Sequence, residues 1–273
     1  MTGILKFIHM TDTHLLDGDR LLYGVSPKDR LTACFRHIKT NHPDAAFVVI
    51  TGDIADNGSY VAYRQLCDTV KEFGLVVFVI PGNHDNINIM RLVLPEFNGN
   101  LNEIEPGTWM PSFITSESCA YVFLDTTSHG VDHGIFDHDQ AEILKNCLSN
   151  LSTHSIFLFM HHPPFDVGIP AMDMINLLDP EPLYSALVPF KPNIRHIFLG
   201  HLHKTIHGTW RGMPFSAIRS TVHQVCTKSG SNNLNVDAVA CCNETPEYSI
   251  VEINSNGVIC NAERFAENVQ IFY

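Results

Sequence analysis

Six short apolar runs, rich in β-branched and aromatic residues, constrain the fold of this 273-residue chain more than any other feature. They are ILKFIHM (4–10), AFVVIT (46–51), VVFVI (76–80), AYVFLD (120–125), SIFLFMH (155–161) and RHIFLG (195–200). Their hydrophobicity is nearly continuous and does not alternate with polar residues. Such runs are typical of strands that are buried on both faces.

Helical patterns lie between most of these runs. Ser26 and Pro27 predict the cap and the first position of a helix through KDRLTACFRHIKT, and similar patterns follow at SYVAYRQLCDTVKEF, DHDQAEILKNCLSNL and EPLYSALVPF. This alternation predicts an α/β fold with helices on both sides of a central sheet. After residue 205 the helical rhythm ends, and TWRGMPFSAI and YSIVEINSNGVICNAERF predict antiparallel strands.

The chain therefore divides into a core at 1–205 and C-terminal strands at 206–273. Residues 227–247 are polar and rich in turn formers, and we expect a cap or dimerisation excursion there. The eight cysteines include no CxxC pair, which predicts free thiols in a reducing compartment. The role of Cys241 and Cys242 stays open.

Charge and hydropathy narrow the range of partners. The formal net charge of −12 disfavours binding to polymeric nucleic acids and to anionic membranes. No stretch approaches the ~20 apolar residues of a membrane span, and the start of the chain carries no basic leader. We expect a cytoplasmic protein that is not associated with a membrane.

Potential metal ligands follow five of the six predicted strands. These groups are Asp12 and His14 in TDTH, Asp53 in TGD, Asn83, His84 and Asp85 in PGNHD, His161 and His162 in MHHPP, and His201 and His203 in GHLH. Because ligands of open α/β sheets bind outside the carboxyl ends of the strands, we expect these side chains to meet at one edge of the sheet. Carboxylate, carboxamide and imidazole groups together suit Mn²⁺, Fe²⁺, Zn²⁺ or Co²⁺.

The ordered motifs D-x-H, G-D, G-N-H-D, H-H-P-P and G-H-x-H, at residues 12–203, resemble those of the calcineurin-like metallophosphoesterase superfamily. Within it, HMTDTHL, GDIADNGSYVAY and STVHQV (220–225) resemble class III cyclic nucleotide phosphodiesterases and the related bacterial glycerophosphodiesterases. The resemblance implies a four-layer α/β/β/α sandwich, completed by the strand-rich C-terminal extension. It also implies two divalent metal ions per subunit.

The resemblance assigns the ligands to two sites that share a bridging carboxylate. The first site would comprise Asp12, His14, Asp53 and His203. The second would comprise Asp53, Asn83, His161 and His201. Because its only charged ligand is shared, the second site should bind its ion more weakly. The native metal pair stays open.

Further residues have expected roles beside the metals. His84 would contact the phosphate or protonate the leaving oxygen, and Asp85 would either orient His84 or cap the segment NINIMRLVL. His162 would orient His161 or pack beneath the following prolines, and the substrate-binding set is Asn57, His84, His162 and His223. Residues that select the leaving group should lie at 17–24, at 165–173 and after 227.

The leading functional prediction is a phosphoric diester hydrolase. It would cleave small substrates, either 3′,5′-cyclic nucleotides or glycerophosphodiesters, with a hydroxide activated by two metal ions. Alternatives on the same metal core are a phosphomonoesterase and a nucleotide pyrophosphatase. A non-catalytic scaffold is more remote, because such a protein would be expected to have lost ligands. A homo-oligomer formed through the C-terminal region is a further expectation.

Overall fold

The computed structural model describes residues 5–93, 102–103, 112–116, 118–225, 241–242, 244–254 and 256–266. In these ranges the elements in chain order are β1 (Leu5–Met10), α1 (Pro27–Asn41), β2 (Val48–Thr51), α2 (Tyr60–Phe73), β3 (Val77–Ile80), α3 (Ile87–Val93), β4 (Asn102–Glu103), β5 (Ser112–Thr115), β6 (Cys119–Phe123), α4 (His138–Asn150), β7 (Ser155–Met160), α5 (Pro170–Asp173), α6 (Glu181–Leu187), β8 (Ile194–Leu199), β9 (Ile206–Trp210), β10 (Met213–Ala217), β11 (Gln224–Val225), β12 (Cys241–Cys242), β13 (Glu247–Asn254) and β14 (Gly257–Arg264). Each of the six apolar runs forms a strand.

The strands form two large mixed sheets. The first sheet has the order β14-β13-β1-β2-β3, and the second has the order β4-β5-β6-β7-β8-β10-β9. Strands β1, β2 and β3 are parallel, as are β6, β7 and β8. The C-terminal strand β13 joins the first sheet antiparallel to β1, with Phe7 opposite Val251. The pattern-based expectation of one central sheet is therefore wrong, whereas the α/β class is confirmed.

An aromatic core explains why there are two sheets. Phenylalanines on the facing sides of both sheets pack against one another: Phe7, Phe47, Phe78, Phe123, Phe157, Phe159 and Phe198. The rings of Phe159 and Phe198, for example, stack with centroids 4.8 Å apart. The opposite strand faces pack on α1, α2 and α3 in the first sheet and on α4, α5 and α6 in the second. The four-layer α/β/β/α sandwich is thus confirmed.

Caps define the helix starts near the positions that the sequence predicts. The Ser26 hydroxyl accepts a hydrogen bond from the backbone N–H of Asp29 at 3.2 Å, and Ser59 accepts one from Ala62 at 3.1 Å. Such caps contribute about 1 kcal/mol each. They fix where the chain leaves the loops that follow β1 and β2.

The C-terminal strands complete both sheets. Strands β9 and β10 extend the second sheet beside β8, while β13 and β14 extend the first. Most of the expected excursion at 227–247 lies outside the described residues, although β12 pairs there with β11. The division at residue 205 stays a prediction. No helix in the described ranges combines the length and the apolar character that a bilayer span requires.

Candidate metal centre

Sharp backbone turns follow the strands that the sequence singles out. Five non-glycine residues there adopt left-handed conformations: Asp12 (φ 54°), His14 (41°), Asp53 (48°), His201 (68°) and His203 (46°). This conformation is uncommon for residues with a side chain, and strained residues of this kind cluster at functional sites. The turns bring ligands from both sheets to a common position.

Two glycines permit the loops to approach one another closely. A Cβ atom on Gly82 would lie 2.2 Å from Oδ1 of Asp53, and one on Gly52 would lie 2.3 Å from Nδ1 of His161. Gly52 also has a φ of 93°. A side chain at either position would therefore displace a potential ligand.

The first cluster comprises Asp12, His14, Asp53 and His203, which are all buried. One ligand atom from each lies within 4.8 Å of those of the others. Nε2 of His203 is 3.1 Å from Nε2 of His14 and 3.3 Å from Oδ1 of Asp12. Nε2 of His14 lies 3.6 Å from Oδ2 of Asp53.

The second cluster centres on Asn83. Its Oδ1 atom lies 3.1 Å from Nε2 of His161 and 3.1 Å from Nδ1 of His201. Nε2 of His161 is also 3.5 Å from Oδ1 of Asp53. Asp53 thus presents one carboxylate oxygen to each cluster. The structure brings all seven expected ligands together, at an edge shared by the two sheets.

Hydrogen bonds orient two of the histidine rings. Nδ1 of His203 donates to the carbonyl oxygen of His223, and Nδ1 of His161 donates to that of Thr51, both at 2.8 Å. Because a carbonyl oxygen only accepts, each Nδ1 carries the hydrogen, and in the neutral ring Nε2 presents a lone pair to the cluster. Hydrogen bonds of this kind orient histidine ligands of metals.

The unmatched acceptors fit the divalent ions that the sequence resemblance implies. Oδ1 of Asp12 is buried and accepts no hydrogen bond within the described ranges. Two acceptor nitrogens, Nε2 of His14 and Nε2 of His203, face each other at 3.1 Å. Acceptors gathered in this way repel one another unless a cation lies among them, and mixed O and N ligands suit first-row divalent ions.

Asp53 is held in its charged form. Burial would raise the pKa of this carboxyl, but the neighbouring His161 and His14 hold it well below its usual range. In turn, burial lowers the pKa of His161, while the Asp53 carboxylate more than compensates and raises it to about 9. An ionised carboxylate between the clusters is the shared anion that two adjacent cations require.

His84 lies at the open side of the centre, beside Asp56. Its Nδ1 atom donates to the carbonyl oxygen of Asp56 at 2.9 Å, and its ring centroid is 4.8 Å from that of His14. Burial opposes protonation, but the charges of Asp53 and Asp56 raise the pKa of His84. The carboxylate of Asp56 also lies 3.0 Å from Nδ1 of His14. Sequence reasoning missed Asp56, although it follows Asp53 by three residues in GDIADNG.

Asp85 has a different environment from the one expected. Its carboxylate accepts hydrogen bonds from the backbone N–H groups of Ile54, Ala55 and Gly82 and from the Tyr63 hydroxyl, at 2.9 to 3.0 Å. It does not cap α3, because Asn86 accepts from the first N–H groups of that helix. Orientation of His84 by Asp85 is also unsupported, since His84 is bonded to Asp56. Asp85 instead joins the loops that follow β2 and β3.

The expected substrate-binding residues fall in three different environments. His162 is fully buried, with Nδ1 2.8 Å from the Thr126 hydroxyl and Nε2 3.1 Å from the Asp132 carbonyl oxygen, so it cannot reach a substrate. Its ring packs against His161 and His201. Asn57 is exposed and is not among the described residues that line the cleft. His223 does line it.

A cleft of about 570 Å³, its open mouth included, leads to both clusters. Besides these clusters, its lining includes Tyr23, Met172, Ile175, Val225 and Cys241. Tyr23 and Met172 lie in two segments that the sequence predicts to select the leaving group. Their identity depends on how distant loops meet, so the sequence alone did not single them out.

Residues 5–205 match the family of calcineurin-like phosphoesterases, and the chain belongs to this family. It is therefore a hydrolase of a dinuclear, metal-dependent class. The chain is 30% identical over 272 residues to a probable cyclic nucleotide phosphodiesterase of Rhodopseudomonas palustris, covering 98% of this chain and 95% of the relative. It is 28% identical over 219 residues to a probable glycerophosphodiester phosphodiesterase of Arcobacter nitrofigilis, covering 80% and 79%.

The fold also resembles that of a dimetal phosphatase from Danio rerio. The two structures superpose with a TM-score of 0.71 over 98% of this chain and 99% of the other, at 14% sequence identity. At this identity the likeness concerns the fold alone. It agrees with the four-layer arrangement described above.

Proposed function

We propose that the protein hydrolyses small phosphodiesters with two divalent metal ions, and that 3′,5′-cyclic nucleotides are its leading substrates. The observation that carries this proposal is the placement of Asp53, with Oδ2 facing the first cluster and Oδ1 facing the second. Support for the substrate comes from the relative of R. palustris, a probable cyclic nucleotide phosphodiesterase that spans nearly the whole chain. Six cysteines in the described ranges form no disulfide, which agrees with the expected cytoplasmic location.

The seven clustered side chains would hold the metal ions, with Asp53 common to both. When bound, two such ions supply positive charge for the phosphate oxygens and a hydroxide nucleophile at neutral pH. Asp12 and Asp53 contribute only two negative charges to the centre. An anionic substrate therefore meets a positive site, although the chain as a whole carries −12.

His84 would serve the leaving group. Its Nδ1–H is held by the Asp56 carbonyl oxygen, and its raised pKa favours the imidazolium, in which Nε2 also carries a proton. From the open side of the centre, that proton can stabilise or be transferred to the leaving oxygen. The backbone N–H of His84 also donates to Oδ1 of Asp53 at 3.0 Å, which ties its position to the metal centre.

A second candidate is the hydrolysis of glycerophosphodiesters. It is favoured by the similarity to the glycerophosphodiester phosphodiesterase of A. nitrofigilis. The same centre could also act on phosphomonoesters or pyrophosphates, since the metal ligands contact only the phosphate. Oligomer formation through the C-terminal strands stays a prediction.

Steady-state kinetics of the Mn²⁺-loaded protein test the proposal. We expect faster hydrolysis of bis(p-nitrophenyl) phosphate than of p-nitrophenyl phosphate, and activity on cyclic AMP, 2′,3′-cyclic AMP or glycerophosphoethanolamine. His84→Gln should lower kcat for alkyl leaving groups about 100-fold or more, because their oxygen needs a proton. A strong preference for the monoester would reject the proposal.

A further inference from the structure

A network of charged side chains joins the loops that follow β8 and β10 to the start of β13. At its centre, Nη1 of Arg219 donates to Oε1 of Glu247 at 3.1 Å and to the carbonyl oxygen of Thr245 at 3.2 Å. Nη2 of Arg219 pairs with the carboxylate of Glu244. The side chains of Arg219 and Glu247 are only 18% and 8% exposed, so water and salt screen this ion pair only partly.

The same two carboxylates also bind the residues that follow His203, a candidate ligand of the first cluster. Oε1 of Glu244 accepts from Nζ of Lys204 at 2.9 Å, and Oε2 of Glu247 accepts from the Thr205 hydroxyl at 2.8 Å. Glu247 begins β13, which pairs with β1 in the first sheet, whereas Lys204 and Thr205 follow β8 of the second. The network therefore connects the two sheets at the edge that carries the candidate ligands.

The loop at 219–224, which we call the anchoring loop, contacts the first cluster on two sides. The hydroxyl of Ser220 donates to the carbonyl oxygen of Asp12 at 2.7 Å. The carbonyl oxygen of His223 accepts from Nδ1 of His203 at 2.8 Å. The anchoring loop thus supports the backbone turn at one candidate ligand and orients the ring of another.

The buried ion pair at the start of this loop is weak evidence for stability alone. Desolvation of two charges offsets much of their attraction, and an apolar pair of similar size is often equally stable. A guanidinium group, however, is planar and holds several donors in fixed directions. Arg219 uses them on two carboxylates and one carbonyl oxygen, which fixes the point from which the anchoring loop begins.

We propose that Arg219 is a positioning residue for the first metal cluster. Its ion pairs hold the anchoring loop, and the loop in turn orients His203 and supports Asp12. Arg219 lies outside the five ligand motifs of the sequence, which end at residue 203. The inference rests on the proposed two-metal function, since it concerns the geometry of one of the two ion sites.

Ion binding at the first cluster alone tests the proposal. Asn83→Ala removes a ligand of the second cluster, and in this background Arg219→Met should weaken Mn²⁺ binding about 10-fold to 100-fold in calorimetric titrations. Arg264→Met is the matched control. Nε of Arg264 also contacts Glu247, at 3.3 Å, but its side chain is 68% exposed, so this change should leave Mn²⁺ binding within about twofold.

A double variant separates positioning from folding. Removal of one partner of a buried ion pair is destabilising, so Arg219→Met should lower the thermal midpoint of the metal-free protein. Arg219→Met/Glu247→Gln removes both charges and should recover much of this midpoint, yet in the Asn83→Ala background its Mn²⁺ affinity should stay at least about 10-fold reduced. Recovery of affinity together with the midpoint would show that Arg219 acts through folding alone and would overturn the proposal.

NMR of the metal-free protein gives a readout that is independent of ions and of turnover. In the wild type, the Nδ1–H of His203 is bonded to a carbonyl oxygen and should exchange slowly with water. Arg219→Met should lose this protection. The Nδ1–H of His161, which is bonded to the Thr51 carbonyl oxygen in the second cluster, should keep it. Unchanged protection of His203 in the variant would overturn the proposal.

Failure of this proposal and failure of the proposed function are distinguishable. Equal Mn²⁺ affinities of Asn83→Ala with and without Arg219→Met would overturn the positioning role, whatever the activity on diesters. A wild-type protein that binds two ions and hydrolyses no diester would reject the phosphodiesterase proposal, while reduced affinity in Arg219→Met would still support the positioning role.

Discussion

At the scale of single residues, Asp53 determines whether the two clusters act as one centre. Its two oxygens face different groups of ligands, and its backbone is held in a left-handed turn after β2. Burial would raise the pKa of its carboxyl, but interactions with His161 and His14 hold that pKa well below its usual range. No other described residue offers ligand atoms to both clusters.

Replacement of Asp53 by asparagine should therefore abolish activity. Mutation of a residue that only hydrogen-bonds to a metal ligand typically lowers metal affinity or activity by about 10-fold to 100-fold. Loss of the shared charged ligand itself should therefore lower kcat/KM by more than about 100-fold. Assays on bis(p-nitrophenyl) phosphate check this. Asp68→Asn, an equivalent change at an exposed position on α2, should leave activity within about twofold. Comparable activity in the two variants would refute a bridging role.

A second residue-scale prediction concerns stability at low pH. Burial, together with repulsion from His207, lowers the pKa of His196 to about 4. The unfolded chain takes up a proton here below about pH 6.5, whereas the folded protein does not until about pH 4, so stability falls as the pH decreases between these values.

Urea denaturation at pH 7 and pH 5 measures this effect. From pH 7 to pH 5, the free energy of unfolding of the wild type should fall by about 2 kcal/mol more than that of His196→Gln, in which the side chain at this position does not titrate. Any loss of metal ions at pH 5 affects both proteins, and the comparison removes it. Equal losses would show that His196 is not neutral in the folded state.

At the scale of elements, the strand ends and the loops that follow them position the candidate metal ligands. Asp85 joins the loops after β2 and β3, which bear Asp53 and Asn83. Its half-buried carboxylate accepts from three backbone N–H groups and from the Tyr63 hydroxyl, and Ile54, Ala55 and Tyr63 are fully buried. A change there should affect the folded state before it affects chemistry.

Asp85→Asn should lower the free energy of unfolding by about 2 to 3 kcal/mol, since an amide has one acceptor oxygen and leaves buried donors unmatched. Urea denaturation of the metal-free protein measures the change without interference from metal binding. Tyr63→Phe removes one of the same hydrogen bonds and should cost about 1 kcal/mol. An effect on activity without an effect on stability would favour a catalytic role for Asp85.

The apolar runs, the caps and the ligand-bearing strand ends were predictable, because each depends on local sequence. The division into two sheets was not, since a strand face that packs on a sheet is as apolar as one that packs on helices. The row of phenylalanines, such as Phe157 and Phe159 on one face of β7, was the available signal. The sequence did not single out Asp56 and Tyr23 as site residues. Their partners, His14 and His223, are distant in sequence and become neighbours only in the tertiary structure.

At the scale of the whole molecule, the candidate ligands come from both sheets, and we therefore expect metal binding to be coupled to folding. Asp12, His14, Asp53 and Asn83 follow strands of the first sheet, and His161, His201 and His203 follow strands of the second. Ions bound among them would hold the two sheets together at this edge. They would also relieve the repulsion among buried acceptors.

Metal removal should consequently destabilise the protein. An ion at 100 times its dissociation constant stabilises the folded state by about 2.7 kcal/mol per site. Thermal unfolding should therefore shift to higher temperature on addition of Mn²⁺ and return on addition of a chelator. A thermal midpoint that does not respond to Mn²⁺ would contradict the coupling.

The number of metal ions bound per chain tests most directly whether the two clusters form a dinuclear centre bridged by Asp53. Metal titration followed by elemental analysis should find two Mn²⁺ ions in the wild-type protein. Asn83→Ala removes a ligand of the second cluster alone, so this variant should retain one tightly bound ion. A wild-type protein that binds fewer than two ions at saturation, or an Asn83→Ala variant that still binds both with unchanged affinity, would contradict a dinuclear centre bridged by Asp53.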